Sequence, residues 1–283
     1  MAFTSTSSAL ITLHWLTGTQ ILSIRKALPL QIHPNKELAA QLHKKDPEKS
    51  ADPNHKPEIA VALSKFEVFV GWKPSEDIHI LLEQLEALRR FLPDNIITFT
   101  NETLRAVTRA MLEASEEVVA DTQEKLGSLD KDAYGRHSYI LELLQRLQKQ
   151  YSKENAGSLV ALVCMNFMVL SPGDAVYIPA DGMHACLSGD IVECMARSNN
   201  VINTGFCPRA DRDSIELFSN TMTFKPHDPK EALLPSKPSN KGKHGKTVVY
   251  APPMSEFNMF VTNLAKDETE VSLHASLDPR PPT

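Results

Sequence analysis

The sequence has little that would mark a secreted, membrane or nucleic-acid-binding protein. Only four cysteines occur, Cys164, Cys186, Cys194 and Cys207, with no CxxC pair and no short disulfide framework. Free thiols in a reducing compartment are therefore expected. No dense basic run exists: 30 Lys and Arg against 35 Asp and Glu leave a formal net charge of −5. The clustered cationic footprint of a nucleic-acid binder is missing. The most basic stretch, Lys241 to Lys246, reads as a solvated loop. No apolar run is long and clean enough to span a bilayer. Leu10 to Ile24 comes nearest, but Thr12, His14, Thr17 and Gln20 interrupt it, and no basic residue precedes it as a signal peptide would require. These absences predict a cytoplasmic protein with neither nucleic acid nor membrane as a partner. No internal repeat is visible.

What is present is an ordinary globular mixture. Its 283 residues are 42% hydrophobic and 23% charged, enough for one large or two modest cores. Residues 1–20 are Ser/Thr-rich and unpatterned. From Ile21 to Pro34 apolar and polar residues partly alternate, and on a strand Gln31 and His33 would share a face. Lys36 to Lys45 reads as a short helix, Asp46 to Pro57 as a loop, and EIAVALSKFEVFVGW from Glu58 as one or two strands. From Ser75 to Tyr151 helical spacing dominates, with helices predicted over Asp77–Leu92, Asn101–Leu126 and Tyr139–Tyr151. Asn101 is the expected N-cap of the second, and Gly127 its stop.

Strand-like text returns at Ser158, with turns expected at Pro172-Gly173-Asp174 and Asp181-Gly182. A Pro- and Lys-rich linker is expected up to Lys246, a strand pair from Thr247, and a frayed tail from Ser276. The predicted class is mainly β with a helical insertion.

Four residues stand out as one potential constellation: Gln31, His33, Glu58 and His184. Two nitrogen and two oxygen donors suit a borderline divalent cation, zinc first, with manganese, iron or cobalt as alternatives. An open position beside such ligands would make the metal a Lewis acid, able to hold a sugar hydroxyl or carbonyl oxygen. Spacing alone is a modest signal, since a Gln-x-His pair is more often an incidental polar face and a histidine in a Gly-rich turn is usually structural.

The text around these residues is more specific. Gly173-x5-Pro179-x2-Gly182-x-His184 looks like the second cupin motif, in which a turn delivers a histidine to a metal inside a jelly-roll barrel. The strings SIRKALPLQIHPNKELA, NHKPEIAVAL and YIPADGMHACLSGDIVECMARSNNV, in that order, closely resemble the type I mannose-6-phosphate isomerase family. The similarity runs from about Ile21 to Phe218 and includes FVGW and the helical insert. The resemblance implies one zinc ion held by Gln31, His33, Glu58 and His184. Lys56 and Glu193 would lie in the polar wall near the transferring proton, and Arg209 would meet the substrate phosphate. It implies a sugar-phosphate substrate, interconversion of mannose 6-phosphate and fructose 6-phosphate, a supply of GDP-mannose, and a monomer.

On this basis residues 21–75 and 156–220 would form a catalytic cupin domain interrupted by a helical insertion at 76–155. A linker at 221–246 would lead to an incomplete second cupin domain at 247–283. The family's first strands and early Trp-Gly motif would have no counterpart before Ile21. The chain also departs from the family near the chemistry. Asn203 stands where the family has an arginine, and an amide supplies neither its charge nor its fork of donors. Cys186 replaces a tyrosine, and Pro29 replaces a serine associated with phosphate. Arg197 and Arg212 are the nearby cations that could compensate. These departures keep open a second expectation, a relative that binds metal and sugar phosphate without turnover. A cupin oxygenase fits poorly, since its site is built mainly from histidines and a carboxylate.

Overall fold

A computed structural model describes residues 8–12, 17–94, 96–254 and 256–271. In chain order it begins with β1 (Ser8–Thr12), β2 (Thr17–Ile24) and β3 (Leu30–Ile32), followed by α1 (Lys36–Lys45). Two strands, β4 (Glu58–Ala62) and β5 (Phe66–Trp72), lead into α2 (Ser75–Gln84), α3 (Asn101–Glu113), α4 (Glu116–Gly127), α5 (Tyr139–Gln150) and α6 (Ala156–Cys164). Then come β6 (Met165–Leu170), β7 (Ala175–Ile178), β8 (His184–Ala196) and β9 (Ile202–Gly205). The last elements are α7 (Ile215–Thr221), β10 (Lys237–Pro238), β11 (Thr247–Tyr250) and β12 (Met259–Leu264). The expected mixture of strands and inserted helices is present as a mixed α/β fold with antiparallel sheets.

The 13-residue β8 organises the larger sheet. Its first half pairs with β5 and β3, and its second half with β2 and β4. Among the described residues the pairing path stays open, running β6-β5-β8-β3-β9 with β2, β4 and β7 branching from it. The bend between the halves falls at Gly189, whose φ of +119° only glycine adopts readily. A Cβ there would come within 2.5 Å of the Lys65 carbonyl oxygen.

Alternation along β4 and β8 separates two faces. Ala60, Ala62 and Ile191 turn inward with Val68 and Cys186. Ile59, Val61, Val192 and Cys194 turn outward against Leu234, Tyr250, Phe257 and Met259. That outer cover is the smaller sheet, ordered β1-β12-β11-β10, in which the expected pair β11–β12 is joined by β1. Each large apolar side chain removed from water in this way contributes about 1.5–3 kcal/mol.

Several local expectations need correction. The first twenty residues are not patternless, since they supply β1 and part of β2. The long helix over Asn101–Leu126 is two helices, because Ser115 caps a new start by accepting from the Val118 amide at 3.3 Å. The cap of α3 is Thr100 rather than Asn101. The Asp77–Leu92 pattern breaks at Leu85 and continues as a 3-10 turn over Glu86–Phe91.

The segment SLVALVC, read as a strand, lies in α6, all of whose residues are buried. A helix hydrophobic all round shows no periodicity, so its text mimics a buried strand. Its C-terminal carbonyls are met by a buried amine: Lys73 Nζ donates to the oxygens of Leu162 at 2.7 Å and Val163 at 3.2 Å. The linker-like stretch is also docked. Phe224 stacks on Trp72 with centroids 5.1 Å apart, and the Leu234 amide donates to the Ala175 carbonyl at 2.8 Å. The tail from Ser276 lies outside the described residues. All four cysteines are buried. Among the described residues, no helix is long and apolar enough to cross a membrane.

Candidate metal centre

Three short pieces of chain converge on the inner face of the large sheet. His33 follows β3, and its backbone amide donates to the Ala180 carbonyl at 3.1 Å, tying it to the turn before β8. Glu58 opens β4, and His184 opens β8. Their side chains are almost wholly buried, at 0%, 1% and 0% exposure respectively. His33 Nε2 lies 3.2 Å from Glu58 Oε1, and His184 Nε2 lies 3.3 Å from Glu58 Oε2. The two imidazole centroids are 5.3 Å apart.

The proton positions on these rings follow from their other contacts. His33 Nδ1 is 2.7 Å from the Asn200 carbonyl, and His184 Nδ1 is 3.0 Å from the Gly182 carbonyl. A carbonyl only accepts, so each Nδ1 carries a hydrogen, and in its neutral form each ring turns an Nε2 lone pair toward Glu58. His33 Nε2, His184 Nε2 and Glu58 Oε2 are buried without a hydrogen-bond partner. Orphaned acceptors facing one another in a dry interior are costly, and a cation between them removes the cost. One ligand atom from each residue falls within 4.8 Å of the others. Two imidazoles and a carboxylate, each ring held by a backbone carbonyl, make a donor set that fits a borderline divalent metal.

The electrostatics point the same way. Burial pushes Glu58 up, but the close approach of His184 and His33 more than offsets it and holds the carboxyl well below its usual range. Burial likewise pulls His184 down, and Glu58 more than offsets it. His33 stays below its ordinary value because burial dominates there. Lys56 Nζ reaches Glu58 Oε1 at 3.1 Å from the loop before β4. Glu193 on β8 is 6% exposed, and burial together with the Glu58 charge raises its pKa.

Gln31 sits in β3 directly opposite His184 on one side and Asn203 on the other. Arg209 lies on an exposed 3-10 turn and pairs with Glu116 at 2.6 Å. Arg197 is exposed, and Arg212 Nη2 donates to the Cys207 carbonyl at 3.4 Å. Cys186 is buried on β8, which drives its thiol pKa well above the ordinary value. Beside Gln31 a cavity of about 660 Å³ is lined by Lys26, Pro29, Tyr151, Asn203, Phe206 and Cys207 among others. Asn203 Oδ1 is buried without a partner.

The sequence reading missed Gln20. Its Nε2 donates to Glu193 Oε2 at 2.5 Å, across the β2–β8 register that sets the two residues opposite each other. Gln20 lies in the stretch read as unpatterned, and only strand register reveals its neighbour.

Residues 8–75 match the family model described as phosphomannose isomerase type I, catalytic domain. The chain is 33% identical to mannose-6-phosphate isomerase of Schizosaccharomyces pombe over 267 residues, covering 89% of this chain and 64% of the relative. With the Saccharomyces cerevisiae enzyme it shares 33% identity over 264 residues, covering 86% of this chain and 61% of that one. The chain thus spans less than two thirds of the curated relatives it matches. Its fold matches a crystal structure of zinc-bound mannose 6-phosphate isomerase with a TM-score of 0.72 at 23% identity, over 89% of this chain and 64% of that chain. The apo form from Salmonella typhimurium matches with the same TM-score of 0.72, identity of 23% and coverage of 89% and 64%.

Proposed function

This chain is homologous to the type I mannose-6-phosphate isomerases, and from that premise we propose that it is a metal-dependent aldose–ketose isomerase interconverting mannose 6-phosphate and fructose 6-phosphate. The observation that carries the reading is the buried trio His33, Glu58 and His184, whose orphaned donor atoms converge. These residues, with Gln31 beside them, would hold one zinc ion per chain. When bound, the ion would supply Lewis-acid polarisation of a substrate oxygen.

The remaining steps belong to side chains of this chain. Glu193 takes the C2 proton of the open-chain aldose, leaving a cis-enediol(ate), and returns it to C1, while the O2 hydroxyl proton passes to O1, to give the ketose. Burial favours this role, because it raises the carboxylate toward the basicity a general base needs at neutral pH. The Lys56 ammonium, next to Glu58, offers positive charge to the developing oxyanion. Arg209 would bind the substrate phosphate, which would have to replace Glu116 as its partner. The product would feed GDP-mannose synthesis. The bent eight-stranded sheet is read as a cupin jelly roll, with residues 76–155 as its helical insertion and residues 247–283 as the start of a second, incomplete cupin domain.

One observation favours a second reading, a relative that binds metal and sugar phosphate without turnover. Asn203 lines the cavity beside Gln31 with an amide instead of a cation, and Lys26 and Asp211 bring opposite charges to the same lining. A coupled isomerase assay on zinc-loaded protein, with metal content measured on the same sample, separates the two. Turnover abolished by a chelator and restored by zinc is the expected result. Bound zinc without turnover selects the second reading, and absence of both rejects the two together.

A further inference from the structure

We infer that Gln20 is a positioning residue for the general base: its side-chain amide fixes the Glu193 carboxylate so that one oxygen is left to move the substrate proton. The inference rests on the isomerase reading of the same site and assigns a role that the sequence did not suggest.

The geometry is specific. β2, β8 and β4 lie side by side, with Gln20 opposite Glu193 and Glu193 opposite Ala60. Residues paired across antiparallel strands share a face, so Gln20 reaches Glu193 directly, while the partner on the other side is the small side chain of Ala60. Gln20 Nε2 donates to Oε2 at 2.5 Å, so the amide is in direct hydrogen-bond contact with one carboxylate oxygen. With Oε2 occupied, proton transfer falls to Oε1. A carboxylate free to rotate would offer either oxygen and lose the alignment that a near-attack geometry requires.

The chemistry of the donor matters as much as its place. Burial and the Glu58 charge push Glu193 toward its neutral form, and the Gln20 bond opposes them by stabilising the anion. An amide does this without carrying charge, so the carboxylate keeps basicity that a salt bridge would remove. The amide also cannot compete for the proton, since it does not titrate. Gln20 itself is exposed, so its side chain is held by this bond rather than by packing.

The test uses zinc-loaded full-length protein with Gln20→Ala and the near-isosteric Gln20→Glu, which keeps the shape but loses the donor. Two readouts are taken: hexose-phosphate kinetics, and the 13C carboxyl resonance of Glu193, assigned by its loss in Glu193→Gln. Both Gln20 variants are expected to lower kcat about 10- to 100-fold with KM little changed, at equal zinc content and thermal stability. In both, the Glu193 resonance moves. An unmoved resonance in Gln20→Ala overturns the inference, as does an unchanged kcat. If the wild-type protein turns over no hexose phosphate, the isomerase reading falls and the positioning role in proton transfer falls with it. The resonance then still reports whether Gln20 holds Glu193.

Discussion

His184 and Glu193 stand an odd number of positions apart on β8, yet both look toward Glu58, because an irregularity between them, an extra residue at Leu187 beside Gly189 with its φ of +119°, resets the alternation. In a regular strand that spacing would place them on opposite faces. The neighbours Glu67 and Val68 on the facing strand β5 pair with Ser188 and Cys186, so Leu187 is one extra residue of β8, two positions before Gly189. The metal-ligand candidate and the base candidate therefore share an interior through one irregularity in the strand.

Gly189→Ala should be destructive beyond its size. The new Cβ would meet the Lys65 carbonyl oxygen at 2.5 Å and Phe66 Cα at 2.8 Å, and the backbone would be strained besides. Strain at such a position alone costs about 1–3 kcal/mol. Urea unfolding should show at least that loss, together with weaker zinc binding by isothermal titration. Wild-type stability with wild-type zinc affinity would mean that the bend does not organise the site.

Lys73 predicts an unusual dependence of stability on pH. It is 2% exposed, and burial drives its pKa down to about 7 from 10.5. Between those values the unfolded chain binds a proton that the folded chain does not, so stability rises with pH across that window. The slope reaches about 1.4 kcal/mol per pH unit for one group. Lys73→Met removes the slope but leaves the Leu162 and Val163 carbonyls without their donor. Denaturation curves from pH 7 to pH 9 should therefore flatten in the variant relative to wild type; parallel profiles would show that Lys73 stays charged throughout.

Asn203→Arg tests the charge deficit beside Gln31. The adjoining cavity of about 660 Å³ gives a longer side chain room, and Asn203 Oδ1 now has no partner to lose. A guanidinium there would stabilise developing negative charge, and turnover of mannose 6-phosphate should rise about tenfold or more at equal zinc content. Unchanged turnover would place the limitation elsewhere in the site.

The parts legible in the sequence were those whose signal is local. Asn35 accepting from the Leu38 amide starts α1 at Lys36, where a short helix was expected. The Pro172-Gly173-Asp174 turn is closed by the Asp174 amide on the Ser171 carbonyl. His33, Glu58 and His184 stood out by residue type and surrounding text, and they do come together. What escaped depends on neighbours distant in the chain. Helix α6 reads as a strand because every side of it is buried. The stretch from Thr223 to Leu234 reads as a linker because its anchors, Trp72 and Ala175, lie far upstream. Gln20 is an unremarkable polar residue until strand register sets it against Glu193.

Strand β8 is also the last to leave the ribosome among the strands it joins. β2, β3, β4 and β5 all pair with it, and all are made first. Between Trp72 at the end of β5 and His184 at the start of β8 lies the whole block of helices α2 to α6. At translation speeds of about 5–20 residues per second, the early strands wait roughly ten seconds for their common partner. During that interval their apolar faces and open edges are exposed to other chains. Vectorial synthesis thus predicts that the yield of this protein in cells depends on how fast the chain reaches Ala196.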